Sequence, residues 1–300
     1  MESPPRPPYR GRFAPTPSGP LHLGSLLTAL ASWLDARRHG GAWLVRIDDL
    51  DRARCPAGTD AVILRQLEAH GLHWDEAPRY QSRHLEEYRA ALGRLELAGV
   101  LYACNCSRAV LKGSALAGPD GPVYPGTCRD AAHDARHHAL RARLPDLELC
   151  FMDAVQGQQC RHLAREIGDF VVRRANGEFA YQLACAVDEH AQGITDVVRG
   201  ADLLGPTFSQ LWVLQQLELA APRYAHLPVL VDARGRKLSK QNRAPALDPR
   251  AAADTVRRCL RLLNQEEVEG ARPAELLAAA LTRWDAARVS RTAQIGPLPL

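Results

Sequence analysis

No stretch of the 300-residue chain approaches the ~20 consecutive apolar residues that a membrane-spanning helix needs. The first residues, MESPPRPPYRGRF, are proline-rich and basic without an apolar centre, so they do not read as a secretory leader. Periodic and low-complexity stretches are missing too. The 21 prolines and 22 glycines are scattered without a repeat, which excludes collagen-like and low-complexity chains. Lysine is nearly absent: of 38 basic residues only Lys112, Lys237 and Lys240 are lysines. Two of these stand three apart in Arg236-Lys237-Leu238-Ser239-Lys240. A compact, flexible ammonium is not equivalent to a guanidinium fork. Lysines kept against so strong an arginine bias mark a place that needs a point charge. The eight cysteines lack a regular spacing, so the expectation is a cytoplasmic protein with reduced thiols, not a disulfide scaffold.

What is present is ordinary for a globular chain: 46% apolar and 24% charged residues, at a length that buries about 75% of the unfolded surface. The net charge is +4. From Asp232 onward there are 13 basic residues against 8 acidic ones. That excess is either a solvated helical face or a surface for a phosphate backbone.

Arg12-Phe13-Ala14 reads as a buried strand entering the loop Pro15-Thr16-Pro17-Ser18-Gly19-Pro20. Residues 21–38 carry apolar side chains at helical spacing (Leu23, Leu26, Leu27, Leu30, Trp33, Leu34) and stop at Gly40-Gly41. Residues 42–47 form the next strand, before the acidic turn Asp48-Asp49-Leu50-Asp51. This βαβ order implies a parallel sheet with a ligand site at its strand C-termini. Helices are expected over 59–70 and 82–99. A cysteine-containing insertion follows over 101–165, including a basic helix near 130–143. Strands are expected at 170–173, 179–187, 194–198 and 227–231, and a helix at 207–219. Residues 1–100 and 166–245 then form two halves of one α/β domain, and 246–300 a small appendage of two helices (249–263 and 273–287).

Two segments at opposite ends of this domain carry chemistry. His22-Leu23-Gly24-Ser25 opens the first helix, where backbone amides attract anions, a glycine lets a ligand approach closely, and His22 can donate to a phosphate. Lys237 and Lys240 lie on a loop after the last sheet strand. They are placed to stabilise charge that develops on phosphates during displacement.

In this order the two motifs resemble the HIGH and KMSKS signatures of class I aminoacyl-tRNA synthetases. Arg12-Phe-Ala-Pro-Thr-Pro-Ser-Gly19, Arg46-Ile-Asp-Asp-Leu-Asp51 and Val198-Arg-Gly-Ala-Asp-Leu203 narrow the resemblance, over residues 10–245, to glutamyl-tRNA synthetases. About 55 residues follow the second motif, fewer than a full anticodon-binding region. The chain therefore resembles a truncated branch of that family, which activates glutamate with ATP without needing tRNA and esterifies the queuosine base in the anticodon of tRNA-Asp. The alternatives are a minimal synthetase charging a tRNA 3′ end and a non-catalytic tRNA-binding relative.

The resemblance implies a Rossmann-like catalytic domain split by a zinc-containing insertion, and a monomer with ATP, Mg²⁺, L-glutamate and queuosine-bearing tRNA-Asp as partners. It implies catalytic roles for His22, Lys237 and Lys240, and ATP contacts from His22, Gly24, Ser25 and Lys240. The glutamate site falls on Arg12, Phe13, Ala14, Pro15, Thr16, Asp48, Tyr181 and Arg199. Guanidinium groups bind carboxylates bidentately, so Arg12 and Arg199 suit the acidic substrate, and Arg199 excludes glutamine. Asp48 would take the α-ammonium with a side chain one methylene shorter than the family's usual Glu. Tyr181, expected on a strand, would offer its hydroxyl. Cys104-Asn-Cys106 and Tyr124-Pro-Gly-Thr-Cys128 match the relatives' ligand set for one structural zinc, with His133 or water as the alternative fourth ligand. Cys55, Cys150, Cys160, Cys185 and Cys259 are expected as apolar fillers.

Overall fold

The computed structural model describes residues 7–232, 235–238 and 245–296. Strand β1 (Arg10–Phe13), helix α1 (Leu23–Arg38) and strand β2 (Ala42–Ile47) form the N-terminal βαβ unit. α1 buries Leu26, Leu27, Leu30 and Leu34, the face its spacing predicts. Gly40, at φ 63°, supplies the left-handed turn into β2. Next come α2 (Thr59–Ala69), β3 (Arg79–Tyr80) and α3 (Leu85–Leu97). The middle of the chain forms β4 (Leu101–Cys104), α4 (Arg108–Ser114), β5 (Leu116–Gly118), β6 (Gly121–Val123), β7 (Ala139–Ala142), β8 (Glu148–Asp153), β9 (Gly157–His162) and β10 (Val171–Arg173). Then follow α5 (Tyr181–Ala191), β11 (Asp196–Gly200), α6 (Leu204–Gln216), β12 (Arg223–Leu227), β13 (Val229–Leu230), α7 (Ala252–Leu262), α8 (Pro273–Arg283) and β14 (Gln294–Ile295).

Seven strands build the main sheet in the order β3-β2-β1-β11-β12-β8-β9. All neighbours run parallel except β8 and β9. The chain leaves β1 for β2 on one side and reaches β11 on the other only after some 180 residues. The strand order therefore reverses between β1 and β11, and the loops after these two strands diverge to leave a crevice. One sheet face packs on α1, α2, α7 and α8, the other on α3, α5 and α6.

Several expectations are corrected. Residues 179–187 were expected as a strand, but α5 starts at Tyr181. This helix buries Leu183 through Glu189 without interruption. A helix covered on every side loses the 3.6-residue alternation that would distinguish it from a short buried strand. No helix forms at 130–143: turns lead into β7, which pairs antiparallel with β4 and β10 in a separate three-stranded sheet. The insertion is not a contiguous body over 101–165, because the β8–β9 hairpin extends the main sheet and Val171–Arg173 completes the small one. α7 and α8 are a layer of the main core, not an appendage. Val256, Leu260, Leu276 and Leu277 share a cluster with α1, and the Trp284 indole donates to Asp35 at 3.1 Å. Cys150 and Cys160 are not fillers. The hairpin register sets them opposite each other, and they form a disulfide.

Candidate active site

The crevice is a cavity of about 580 Å³, a size suited to a nucleotide-sized ligand. Arg12, Phe13, Ala14, Pro15 and Thr16 reach it from the end of β1, and His22, Gly24 and Ser25 from the start of α1. Tyr181 enters from the first turn of α5, Arg199 from the end of β11, and Lys237 from the chain after β13. Thus eleven residues expected at the site, carried by five separate parts of the fold, border one space. Ser239 and Lys240 lie outside the described residues.

His22 is the N-cap of α1. Its Nδ1 accepts the Ser25 N–H at 3.3 Å. A ring nitrogen that accepts carries no proton, so the neutral imidazole holds its proton on Nε2, where it can donate. A Cβ on Gly24 would lie 3.3 Å from two atoms of the His22 ring, so the glycine leaves room for that ring. Lys237 is ion-paired with Asp202 at 2.5 Å. Asp202 follows Arg199 in the Val198–Leu203 motif, so the pair ties that motif to the Lys237 segment beside the cavity.

Beneath the cavity, between the sheet and α5, lies a buried layer of charge. The Arg12 Nε donates to both oxygens of Glu189 (3.0 and 2.9 Å), and Arg46 approaches Glu189 at 3.3 Å. Burial opposes a charge on Glu189, but Arg12 and Arg46 outweigh it and hold the carboxyl at about 2. Asp48 places both oxygens on Arg46, at 2.7 and 3.3 Å. It is buried behind the cavity and is not among the residues bordering it. Asp188 on α5 accepts from Arg79, Gln81 and Tyr88. Burial raises the Tyr181 hydroxyl above its ordinary value, so it stays protonated.

Arg199 is held differently. Its Nε donates to His226 Nε2 at 3.1 Å, one terminal nitrogen to Gln210 Oε1 at 2.8 Å and the other to Thr207 Oγ1 at 2.7 Å. All three acceptors are neutral, and no described carboxylate forms an ion pair with Arg199. A buried cation without an anion is costly, and this one faces the cavity. Such a site suits an anionic ligand group.

A second constellation lies in the small sheet. The sulfurs of Cys104, Cys106 and Cys128 lie within 4.8 Å of one another. Cys106 and Cys128 are 3.5 Å apart, and the Tyr124 hydroxyl is 3.5 Å from Cys104 and 3.7 Å from Cys106. Zinc–sulfur bonds of about 2.3 Å put tetrahedral sulfurs roughly 3.8 Å apart, so this donor set fits such an ion. Burial raises the Cys104 thiol, but hydrogen bonds from Tyr124 and Arg141 outweigh it and bring the thiol down to about 7. His133 is not in the cluster, and its ring packs against His138 at 5.4 Å.

Residues 9–261 match the family model described as tRNA synthetases class I (E and Q), catalytic domain. Over 288 residues the chain is 50% identical to a glutamyl-Q tRNA(Asp) synthetase of Ectopseudomonas mendocina, covering 95% of this chain and 96% of that one. It is 51% identical to the enzyme of that name from Cupriavidus metallidurans, with 92% and 91% covered. The chain belongs to the glutamyl-Q tRNA(Asp) synthetase family. It is an enzyme of the aminoacyl-tRNA synthetase type. The fold agrees: a glutamate tRNA ligase from Elizabethkingia meningosepticum superposes with a TM-score of 0.80 at 22% identity, covering 97% of this chain and 67% of that one.

Several residues that shape this family site were not singled out from the sequence. Arg46 and Asp202 lay inside quoted motifs, so a signal was present. Glu189, Asp153, His226, Gln210 and Thr207 gave none, because each acts through a partner that only the fold brings beside it.

Proposed function

We infer that the chain joins ATP and L-glutamate into glutamyl-adenylate without tRNA and transfers the glutamyl group to the queuosine base in the anticodon of tRNA-Asp. The observation that carries this is Arg199, a cation held only by neutral acceptors, in the same cavity as the α1 N-terminus and Lys237. The identity of about 50% to proteins of that name supports the choice of acceptor.

In the first step an oxygen of the glutamate α-carboxylate forms a bond to the α-phosphorus. The bond from that phosphorus to the bridging oxygen breaks, and pyrophosphate leaves. No protein atom becomes covalent, so positioning and charge stabilisation carry the rate. The α1 amides and His22 Nε2–H hold phosphate oxygens. Lys237, leaving Asp202, neutralises the leaving group, with Lys240 in the same role. Arg199 takes the side-chain carboxylate and excludes the neutral amide of glutamine, while the Arg12 region and Tyr181 orient the rest, and Asp48 supports them only from behind the cavity through its pair with Arg46. Mg²⁺ bound to ATP would shield the charge on its phosphates. In the second step a hydroxyl of the modified base attacks the acyl carbon, AMP leaves, and the hydroxyl proton is lost. Cys104, Cys106, Cys128 and Tyr124 would hold a zinc ion, and its role would be structural, because four protein ligands would leave no position for a reactant.

ATP–pyrophosphate exchange with glutamate, glutamine and aspartate, each without tRNA, tests the reading. Exchange is expected with glutamate alone, and labelled glutamate is expected on queuosine-containing tRNA-Asp but not on its queuosine-lacking form. Absolute tRNA dependence, or label on the 3′ adenosine, would favour a minimal synthetase instead.

A further inference from the structure

Arg199 presents a question that its own contacts answer. A guanidinium has five N–H groups and no acceptor. Three are taken by His226, Gln210 and Thr207, leaving one on each terminal nitrogen for a ligand. The Nε contact fixes the chemistry of His226. Because Arg199 can only donate, His226 Nε2 is an unprotonated acceptor and the proton sits on Nδ1. That nitrogen is 2.6 Å from Asp153 Oδ2. The other oxygen of Asp153 is engaged by three backbone N–H groups, those of Val155 (3.0 Å), Gln156 (2.8 Å) and His226 itself (3.1 Å). The carboxylate is therefore fixed in orientation and accepts at every contact. His226 is fully buried and Asp153 nearly so. β11 and β12 set Arg199 directly opposite His226, and β12 pairs with β8, which carries Asp153. Three adjacent strands thus align carboxylate, imidazole and guanidinium.

We propose that Asp153 and His226 are positioning residues for glutamate selection: Asp153 locks His226 as the Nδ1–H tautomer, and His226 then orients the Arg199 guanidinium without neutralising it. This rests on the reading that Arg199 takes the substrate's side-chain carboxylate. A carboxylate in the place of His226 would orient Arg199 equally well but cancel its charge. A neutral imidazole orients the group and leaves its full charge to the ligand. The outer carboxylate acts through the tautomer it selects, the general logic of a buried partner behind a histidine.

The decisive variant is Asp153→Asn. Its amide oxygen can keep the three backbone N–H groups, which turns the NH₂ toward Nδ1. The ring must then accept at Nδ1 and carry its proton on Nε2, facing the Arg199 Nε–H. In exchange assays KM for glutamate should rise roughly tenfold or more, the scale of a lost hydrogen bond to a buried charge, with KM for ATP unchanged. His226→Gln puts a tautomer-independent acceptor at the Nε2 position, so adding Asp153→Asn to that background should leave KM for glutamate unaltered. An acceptor-type ¹⁵N shift for Nε2 is expected in the wild-type protein and a protonated one in Asp153→Asn. A protonated Nε2 in the wild type, equal rises in both KM values, or the same added penalty in the His226→Gln background would overturn the proposal. Absence of any glutamate preference in the wild-type protein would instead overturn the parent reading of Arg199.

Discussion

Arg12 and Arg199 reach the same cavity from the ends of β1 and β11, yet only Arg12 has a buried carboxylate, Glu189, against it. The hydrogen bond from Arg12 to the Val198 carbonyl, 3.3 Å, ties the two strands together beside the Arg199 position. Arg12 is therefore substantially satisfied within the fold, whereas Arg199 retains its charge for a ligand.

This contrast makes Gln210→Glu informative. The change is isosteric and puts a carboxylate where Gln210 Oε1 now lies 2.8 Å from Arg199. An internal anion should compete with the substrate's. The kcat/KM for glutamate is expected to fall about 10- to 100-fold, the range for a hydrogen bond to a charged group, while that for glutamine is unchanged or improved. Side-by-side exchange kinetics with the two amino acids measure it.

Glu189 sits between Arg12 and Arg46, so Glu189→Gln leaves buried guanidinium charge short of its anion. A loss of about 3–5 kcal/mol in urea unfolding is expected, the usual cost of breaking a buried pair from one side.

The same carboxylate predicts a pH dependence. Its folded value, about 2, lies below the ordinary 4.5. The unfolded chain therefore binds more protons in that interval. The stabilisation is fully present above pH ~4.5 and is lost as pH falls toward ~2. Equilibrium unfolding followed across this range should show wild-type stability declining, and Glu189→Gln should lack that part of the decline.

Gly24→Ala separates activity from stability. The added Cβ presses on the His22 ring at 3.3 Å, so kcat for exchange is expected to fall by about tenfold, a shift of roughly 1.4 kcal/mol in barrier. Alanine favours a helix over glycine, so the melting temperature should not decrease. A drop in both would indicate general disruption of the α1 start rather than displacement of His22.

The thiol cluster predicts one zinc per chain by elemental analysis. Cys128→Ser should lose it, because serine offers no thiolate to zinc at neutral pH. Limited proteolysis should then open the chain between Cys104 and Cys128, while a variant that retained stoichiometric zinc would argue against Cys128 as a ligand.

The order of βαβ elements, the helix from Leu23 and the glycine that ends it were legible in the sequence because they are local. Apolar spacing, a cap and a left-handed turn are decided within a few residues. The motif at His22, the pair of lysines and the arginines at 12 and 199 were legible as residue types suited to phosphates and carboxylates. Local pattern misled where surroundings set the burial. α5 is enclosed on all sides and so loses its period, and α7 and α8 become core because α1 offers them a face. Which arginine keeps its charge could only be decided in three dimensions. Glu189 lies 177 positions from Arg12 and Asp153 lies 73 from His226. Electrostatic contact depends on distance through space, and a sheet whose strand order reverses between β1 and β11 sets those distances.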